Sequence, residues 1–329
     1  MRGGKAIRFG LLFAAFLVVA LLPADADGQT KKPSGKQRKP TAAQVAKAKA
    51  DSIAAAAQAD SVARAVRELA VQDSIRLAAD SIARRADSLK AVPLRKLTND
   101  AFAVGERLVF GVNYGFITAG EAVMEVAAYD SVAGRKCYRV EFTVNSLPSF
   151  SWIYKVEDRY LTYIDVETIA PWKFEQHIRE GTYRRDFIAE FDQVNLVATT
   201  TGGTYPIPQY VHDIMSAFYF ARTIDFSSFK PGDGVLLSNF YKDKTHELKV
   251  NFLGRQELET EAGTFNTLVV EPLVKEGGLF KSEGRIVIWL SDDERKIPVR
   301  VNTKVVIGSI DTELKSYSGI AGPLRSRIR

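Results

Sequence analysis

Cysteine is almost absent from this chain: Cys137 is the only one in 329 residues. One thiol excludes an intrachain disulfide framework and a zinc site built from cysteines, since each needs several sulfurs from the same chain. Histidine is nearly as scarce, with His177, His212 and His246 the only imidazoles. Also missing are a Gly-x-Ser-x-Gly elbow, a His-Glu-x-x-His helix, a phosphate loop and a dinucleotide glycine pattern. Their absence removes the common signatures of hydrolases, metalloproteases and nucleotide enzymes. No cofactor and no catalytic activity are therefore expected.

A membrane-spanning run is lacking too. The longest apolar stretch, Phe9 to Leu22, falls short of the ~20 residues a spanning helix needs and stops at Pro23. Arg2, Lys5 and Arg8 precede it, and Ala24 and Ala26 follow at the spacing of a cleavage site. That is the three-part pattern of a secretory signal peptide over residues 1–26. No cysteine follows the run to accept a lipid anchor. The expectation is an exported, most simply periplasmic, protein that does not span the membrane after cleavage.

The formal charge of +6 suggests nucleic acid only until it is divided along the chain. Residues 1–100 hold 18 Lys and Arg against 9 Asp and Glu, whereas residues 101–329 hold 27 against 30. The basic surplus thus belongs to the leader and to a flexible segment, residues 27–40, in which Lys31, Lys32, Lys36, Arg38 and Lys39 are interrupted by Pro33, Gly35 and Pro40. Nucleic acid is not an expected partner.

Residues 41–96 are rich in alanine, and Asp-Ser-aliphatic steps at Asp73, Asp80 and Asp87 recur every seven residues. Alanine favours helix, and no glycine or proline intervenes before Pro93. The stripe of Ile75, Ile82 and Leu89 has Ala78 and Arg85 as companions, a narrow seam for a coiled coil. A helical stalk and a partly disordered, solvated spacer both remain open.

After Pro93 the hydrophobic period changes to two. Leu108, Phe110, Val112 and Tyr114 alternate with other residues, as do Tyr138, Val140, Phe142 and Val144, then Val156, Asp158 and Tyr160 through Ile164, and later Tyr183 to Phe191 and Leu248 to Phe252. Each reads as a strand with one wet and one buried face, and Gly, Pro, Asn and Asp mark the turns between them. His212 to Arg222 alone has helical spacing, apolar nearly all round, so it should be a buried helix. The predicted fold is all-β over residues 97–320: a large curved antiparallel sheet or incomplete barrel with one internal helix, followed by a basic tail at 321–329.

The stretch from Phe102 to Gly120, including Gly105-Glu106, Leu108, Phe110, Val112, Tyr114-Gly115 and Ala119-Gly120, resembles the opening of a bacterial exported family named domain of unknown function 3108. Further matches follow in order: Asp213 through Tyr219, Gly263-Thr264-Phe265, Ile288 through Asp293, Pro298 and Gly308-Ser309-Ile310. Together they cover residues 102–317. The resemblance implies an exported protein and transfers no catalytic residue, because the family has no assigned activity.

Four local groups carry residue types that chemistry could use. His177 lies between Glu175 and Glu180, but in a strand Glu180 faces the opposite side from the other two, leaving too few ligands for a metal. Asp292-Asp293-Glu294 lacks the spacing of a calcium loop and reads as a solvated turn. Asp158 and Arg159, near Lys155 and Glu157, read as a surface charge ladder. Cys137 has the wet-face parity of its strand beside Arg135, Lys136 and Arg139, cations able to lower its pKa, but one thiol without a histidine nearby in sequence reads as incidental.

Aromatic residues are plentiful, with 19 Phe, 12 Tyr and 3 Trp. Phe150, Trp152 and Tyr154 read as one side of a strand after Pro148. The function expected is non-catalytic binding of a lipid-like envelope ligand in the hollow of the sheet, by fold-level analogy with half-barrel carriers. Phe110, Val112, Tyr114, Val140, Phe142 and Phe218 are the expected lining. A structural or assembly protein contacting an envelope partner is the alternative, and an envelope enzyme a more remote one.

Overall fold

The computed structural model describes residues 94–275, 285–304 and 308–329, together with helical residues Arg64, 66–69, 71–73 and Arg76. The chain divides into two compact units, one spanning Leu21–Ser88 and the other holding Leu89–Arg329. The signal-peptide pattern, the basic segment 27–40 and most of the spacer lie outside the described residues.

The larger unit is built from fourteen strands. In chain order the first eight are β1 (Arg107–Tyr114), β2 (Ile117–Val132), β3 (Arg135–Ser146), β4 (Glu157–Asp165), β5 (Pro171–Glu180), β6 (Tyr183–Asp192), β7 (Val197–Thr200) and β8 (Gly203–Pro206). The other six are β9 (Gly234–Tyr241), β10 (Lys244–Thr260), β11 (Gly263–Lys275), β12 (Ile286–Ser291), β13 (Pro298–Lys304) and β14 (Ser309–Ser318). A short helix, α1 (Pro148–Ser151), follows β3, and the main helix, α2 (Ile214–Arg222), lies in the long connection between β8 and β9.

All strands form one antiparallel sheet in the order β8-β7-β6-β5-β4-β3-β2-β1-β14-β13-β12-β11-β10-β9. Two meanders therefore meet where the first strand pairs with the last, with Val112 opposite Thr312. Gly319, just after β14, has φ of +64°, and a Cβ there would overlap the Gly105 carbonyl, so glycine is required where the segment leaving β14 crosses the one entering β1.

The edge strands β8 and β9 approach without forming a ladder. The Phe240 ring of β9 lies 5.7 Å from Phe191 and 6.1 Å from Tyr205, and the Thr200 hydroxyl donates to Asp243 at 2.9 Å. These side chains, together with backbone bonds from His212 to Ser238 and Phe240 of β9 at 2.8 and 2.7 Å, cover the seam, which makes an incomplete barrel. This also protects two edges that would otherwise template aggregation.

The inward residues of β1 and β3 are those that alternation marked: Leu108, Phe110, Val112, Val140, Phe142 and Val144 are all buried. With Tyr160, Phe174 and the Met215 and Tyr219 face of α2 they form the larger core cluster. Ala217 packs with Phe226, Leu248, Val250, Phe252, Leu268, Val270 and Leu290 in a second one.

Helix α2 starts at Ile214 rather than His212, because Asp213 caps it. One carboxylate oxygen accepts the Met215 and Ser216 amides at 2.8 and 2.9 Å, and the other accepts the Thr162 hydroxyl of β4 at 2.8 Å. At the far end Arg222 makes a two-pronged, fully buried pair with Glu106 at 2.6 and 2.7 Å. Its remaining donors reach the carbonyls of Ala101 and Arg295, both at 3.1 Å.

Three expectations about strand faces are corrected. Phe150, Trp152 and Tyr154 do not share a strand face: Pro148 begins α1, and Trp152 is left largely exposed. Cys137 is buried despite its parity, since it sits opposite Asp165, whose carboxylate is covered by Arg135 at 2.6 Å. Burial pushes its thiol up to about 12, opposite to the lowering that its cationic neighbours favour. Asp158 is no surface residue: it shares inward parity with Tyr160 and Thr162 and is buried, while Arg159 pairs outside with Glu141.

The folded unit also reaches beyond 97–320 at both ends. Arg95 donates to the Thr168 carbonyl at 3.0 Å and stacks 4.0 Å over Tyr210. At the other end, residues 326–329 pair with the start of β11, where the Ile328 amide meets the Thr264 carbonyl at 2.8 Å.

Candidate ligand cavity

The two core clusters leave a gap on one side of α2. An apolar cavity of about 70 Å³ lies between the helix and the inner face of β10 to β13. Ile214, Met215, Ala217, Phe218 and Ala221 form its helical wall. Leu248 and Val250 of β10, Val270 and Pro272 of β11, Ile286, Ile288 and Leu290 of β12, and Val301 of β13 form the other. All thirteen side chains are apolar. A lining without polar side chains is matched to hydrocarbon rather than to polar groups.

The reason for the gap lies in the helix sequence. Tyr219 faces the larger cluster and Met215 is shared between that cluster and the cavity, whereas Ala217 and Ala221 present only methyl groups to β10 and β12. Of the six residues expected to line a hollow, Phe218 lines this cavity. Phe110, Val112, Val140 and Phe142 lie in the close-packed larger cluster, and Tyr114 is half-buried against it.

The sheet side of the wall was partly visible in sequence. Leu248 and Val250 alternate as a strand, and Ile288 and Leu290 fall in a segment that carried the family resemblance. Nothing local indicated that β10 to β13 would face the same helix as β1 to β6.

Buried polar groups lie apart from this cavity, on the inner face of β4 and β5. Asp158 and Glu180 share a hydrogen bond, with Tyr154 beside Glu180 at 3.4 Å. Burial, then the neighbouring Asp158, pushes Glu180 up to about 8, and burial raises Asp158 as well. The Arg179 amide donates to Asp158 at 2.7 Å. The pair therefore holds a proton at neutral pH. His212, stacked 4.9 Å from Phe220, is driven down to about 3 by burial and by Arg95, and is neutral.

His177 and the Asp292-Asp293-Glu294 turn are committed to protein partners. His177 contacts Asp186 at 2.8 Å and Glu175 at 3.6 Å on the outer face, with Glu180 on the inner one. Asp292 pairs with Arg255 and Glu294 with Arg325, both at 2.9 Å, while Asp293 accepts the Ser326 hydroxyl at 2.6 Å. Among the described residues no cluster of three or more His, Cys, Asp or Glu could hold a metal ion, and no helix is long and apolar enough to cross a membrane.

An open antiparallel sheet curled round one buried helix, with an apolar cavity under that helix, defines a β-barrel-like half-barrel. Residues 109–315 match the family described as protein of unknown function DUF3108, and the chain belongs to that family. No curated protein matches it. Among solved structures, a beta-barrel-like protein of domain of unknown function DUF1849 from Brucella abortus is 11% identical, with a TM-score of 0.44 over 66% of this chain and 98% of that one. A protein with a YmcC-like fold from Bacteroides fragilis is 12% identical, with a TM-score of 0.32 over 69% of this chain and all of the other.

Proposed function

We propose that this is an exported binding protein that takes an apolar chain of a lipid-like envelope ligand between α2 and β10 to β13. The observation that carries the reading is the wholly apolar lining of the cavity, set against a helix whose alanines leave room. That lining offers no acid, base or nucleophile, which favours binding without catalysis. The leader pattern supports the periplasm as its place. A volume of about 70 Å³ admits part of an acyl chain, so binding requires α2 and the sheet to part as the chain enters.

The test is thermal stability during titration with long-chain fatty acids and phospholipids. A ligand that binds only the folded state raises the melting temperature with the logarithm of its concentration. Ala217→Leu fills the gap from the helix side, so it should abolish that rise while leaving the unliganded protein at least as stable. A panel of lipids with no effect on the parent protein would remove the reading.

A further inference from the structure

Among the described residues of the larger unit, five large aliphatic or aromatic side chains are more than half exposed: Phe116, Ile117, Trp152, Ile153 and Leu236. Four of these belong to two turns. Phe116 and Ile117 are at the hairpin between β1 and β2, where Tyr114 pairs with Ile117 and only Gly115 and Phe116 form the loop. Gly115 takes a φ of +58°, and so tight a turn leaves Phe116 no inward position. Trp152 and Ile153 directly follow α1.

The two turns are neighbours. Gly120 of β2 lies opposite Ser146 of β3, and the Leu147 amide donates to the Ala119 carbonyl at 2.9 Å. Both therefore project from the same end of the sheet. Trp152 is not merely loose, since its indole N–H donates to the Ser149 carbonyl at 2.9 Å, which fixes the ring with its apolar faces outward. The opposite end is occupied by the Arg222–Glu106 lock and the C-terminal residues 326–329. The cavity lining reaches Ile286, the first residue of β12, at the end that carries the turns.

Cations project from the same end of the sheet. Arg184 lies beside the β5–β6 turn, Lys242 and Lys244 flank the β9–β10 turn, and Lys304 ends β13, all exposed and all at this end by strand pairing. Carboxylates share this end: Glu157 is paired with Lys155 at 2.9 Å, Asp243 accepts the Thr200 hydroxyl, and Glu121 and Glu247 are exposed a few residues further along β2 and β10.

We propose that this end of the half-barrel docks on an anionic phospholipid bilayer, with Phe116, Ile117, Trp152 and Ile153 entering the headgroup boundary and the surrounding lysines and Arg184 meeting lipid phosphates. Tryptophan and phenylalanine favour that boundary, and basic residues add attraction to anionic lipid. A protein partner fits less well, because four projecting side chains are far fewer than the ~20–30 residues a side of a stable protein interface. Docking so places the Ile286 end of the cavity lining nearest a lipid source, but does not depend on the cavity being filled.

The experiment adds vesicles of phosphatidylcholine, with or without phosphatidylglycerol, to the full chain and follows tryptophan emission. Trp172 is buried and Trp289 half-buried, which leaves Trp152 as the indole free to change surroundings. Emission should shift to shorter wavelength on anionic vesicles and less on neutral ones, and Trp152→Phe should remove the shift. Phe116→Asp should weaken apparent vesicle affinity at least tenfold with an unchanged melting temperature. Tethering through Lys31 to Lys39 alone would leave Trp152 in water with unshifted emission, and that result overturns the proposal. Equal shifts on neutral and anionic vesicles would overturn it too. Cavity binding is read from Ala217→Leu and melting, so either reading can fail while the other stands.

Discussion

Glu180 and Asp158 show what two inward carboxyl groups cost a β core. Buried on adjacent strands, they keep a proton between them, and Glu180 is pushed up to about 8. A carboxyl group whose pKa is raised by folding stabilises the native state fully below its ordinary value near 4.5, and that contribution is lost as pH rises towards 8. Native stability should therefore fall between pH 5 and pH 8, by at most ~1.4 kcal/mol per pH unit for one proton. Glu180→Gln, which keeps a hydrogen-bonding partner for Tyr154, should flatten that dependence. Urea denaturation of both proteins across this range measures it, and parallel slopes would show that the pair is not the source. Alternation already set Asp158 on the inward face with Tyr160 and Thr162. The surface reading arose from its charged neighbours Lys155, Glu157 and Arg159, and strand parity was the better guide.

Helix α2 is held at both ends by side chains from strands far apart in sequence, and this is what suspends it inside the sheet. Asp213 ties its start to Thr162 of β4, and Arg222 ties its end to Glu106 just before β1. Removing one partner of a buried ion pair strands the other charge, at ~3–5 kcal/mol, whereas replacing both with apolar groups of similar size is near neutral or stabilising. Glu106→Ala should therefore lower the urea midpoint sharply, and Glu106→Leu combined with Arg222→Met should recover most of it. If the double variant is as unstable as the single one, the pair's contribution lies in its geometry at the Ala101 and Arg295 carbonyls rather than in charge balance. Sequence spacing identified α2 as a buried helix and Asp213 as favourable near its start. It could not identify Arg222's partner, which is 116 residues away.

At the scale of the whole molecule, the described contacts of the β unit begin at the Arg95 anchor on Thr168 and Tyr210, and Leu21–Ser88 forms a unit of its own. A chain lacking residues 27–92 should thus melt at the same temperature as the complete one, and calorimetry would show a large drop if the alanine-rich segment contributed to the sheet's stability. The fourteen strands close into an incomplete barrel through Phe240, Phe191 and Tyr205, so the interior is divided into a packed half and a half with a gap.

What the sequence by itself determined was local: the two-residue period of β1, β3, β4, β6 and β10, the helical period of α2 and its capping carboxylate. These depend on neighbours within a few positions, where the direction of each side chain is set by the backbone repeat. The ordered family segments located residues 102–317 for the same reason, since each is a short run readable in place. Only the tertiary structure decided which buried faces are packed and which leave space. Phe110, Val112, Val140 and Phe142 share the pattern of a cavity wall, yet they lie in the packed cluster that includes Tyr219, while Leu248, Val250, Ile288 and Leu290 line a gap with Ala217 and Ala221. Burial is a property of one strand's alternation, but a cavity is the difference in volume between two surfaces brought together by the whole fold.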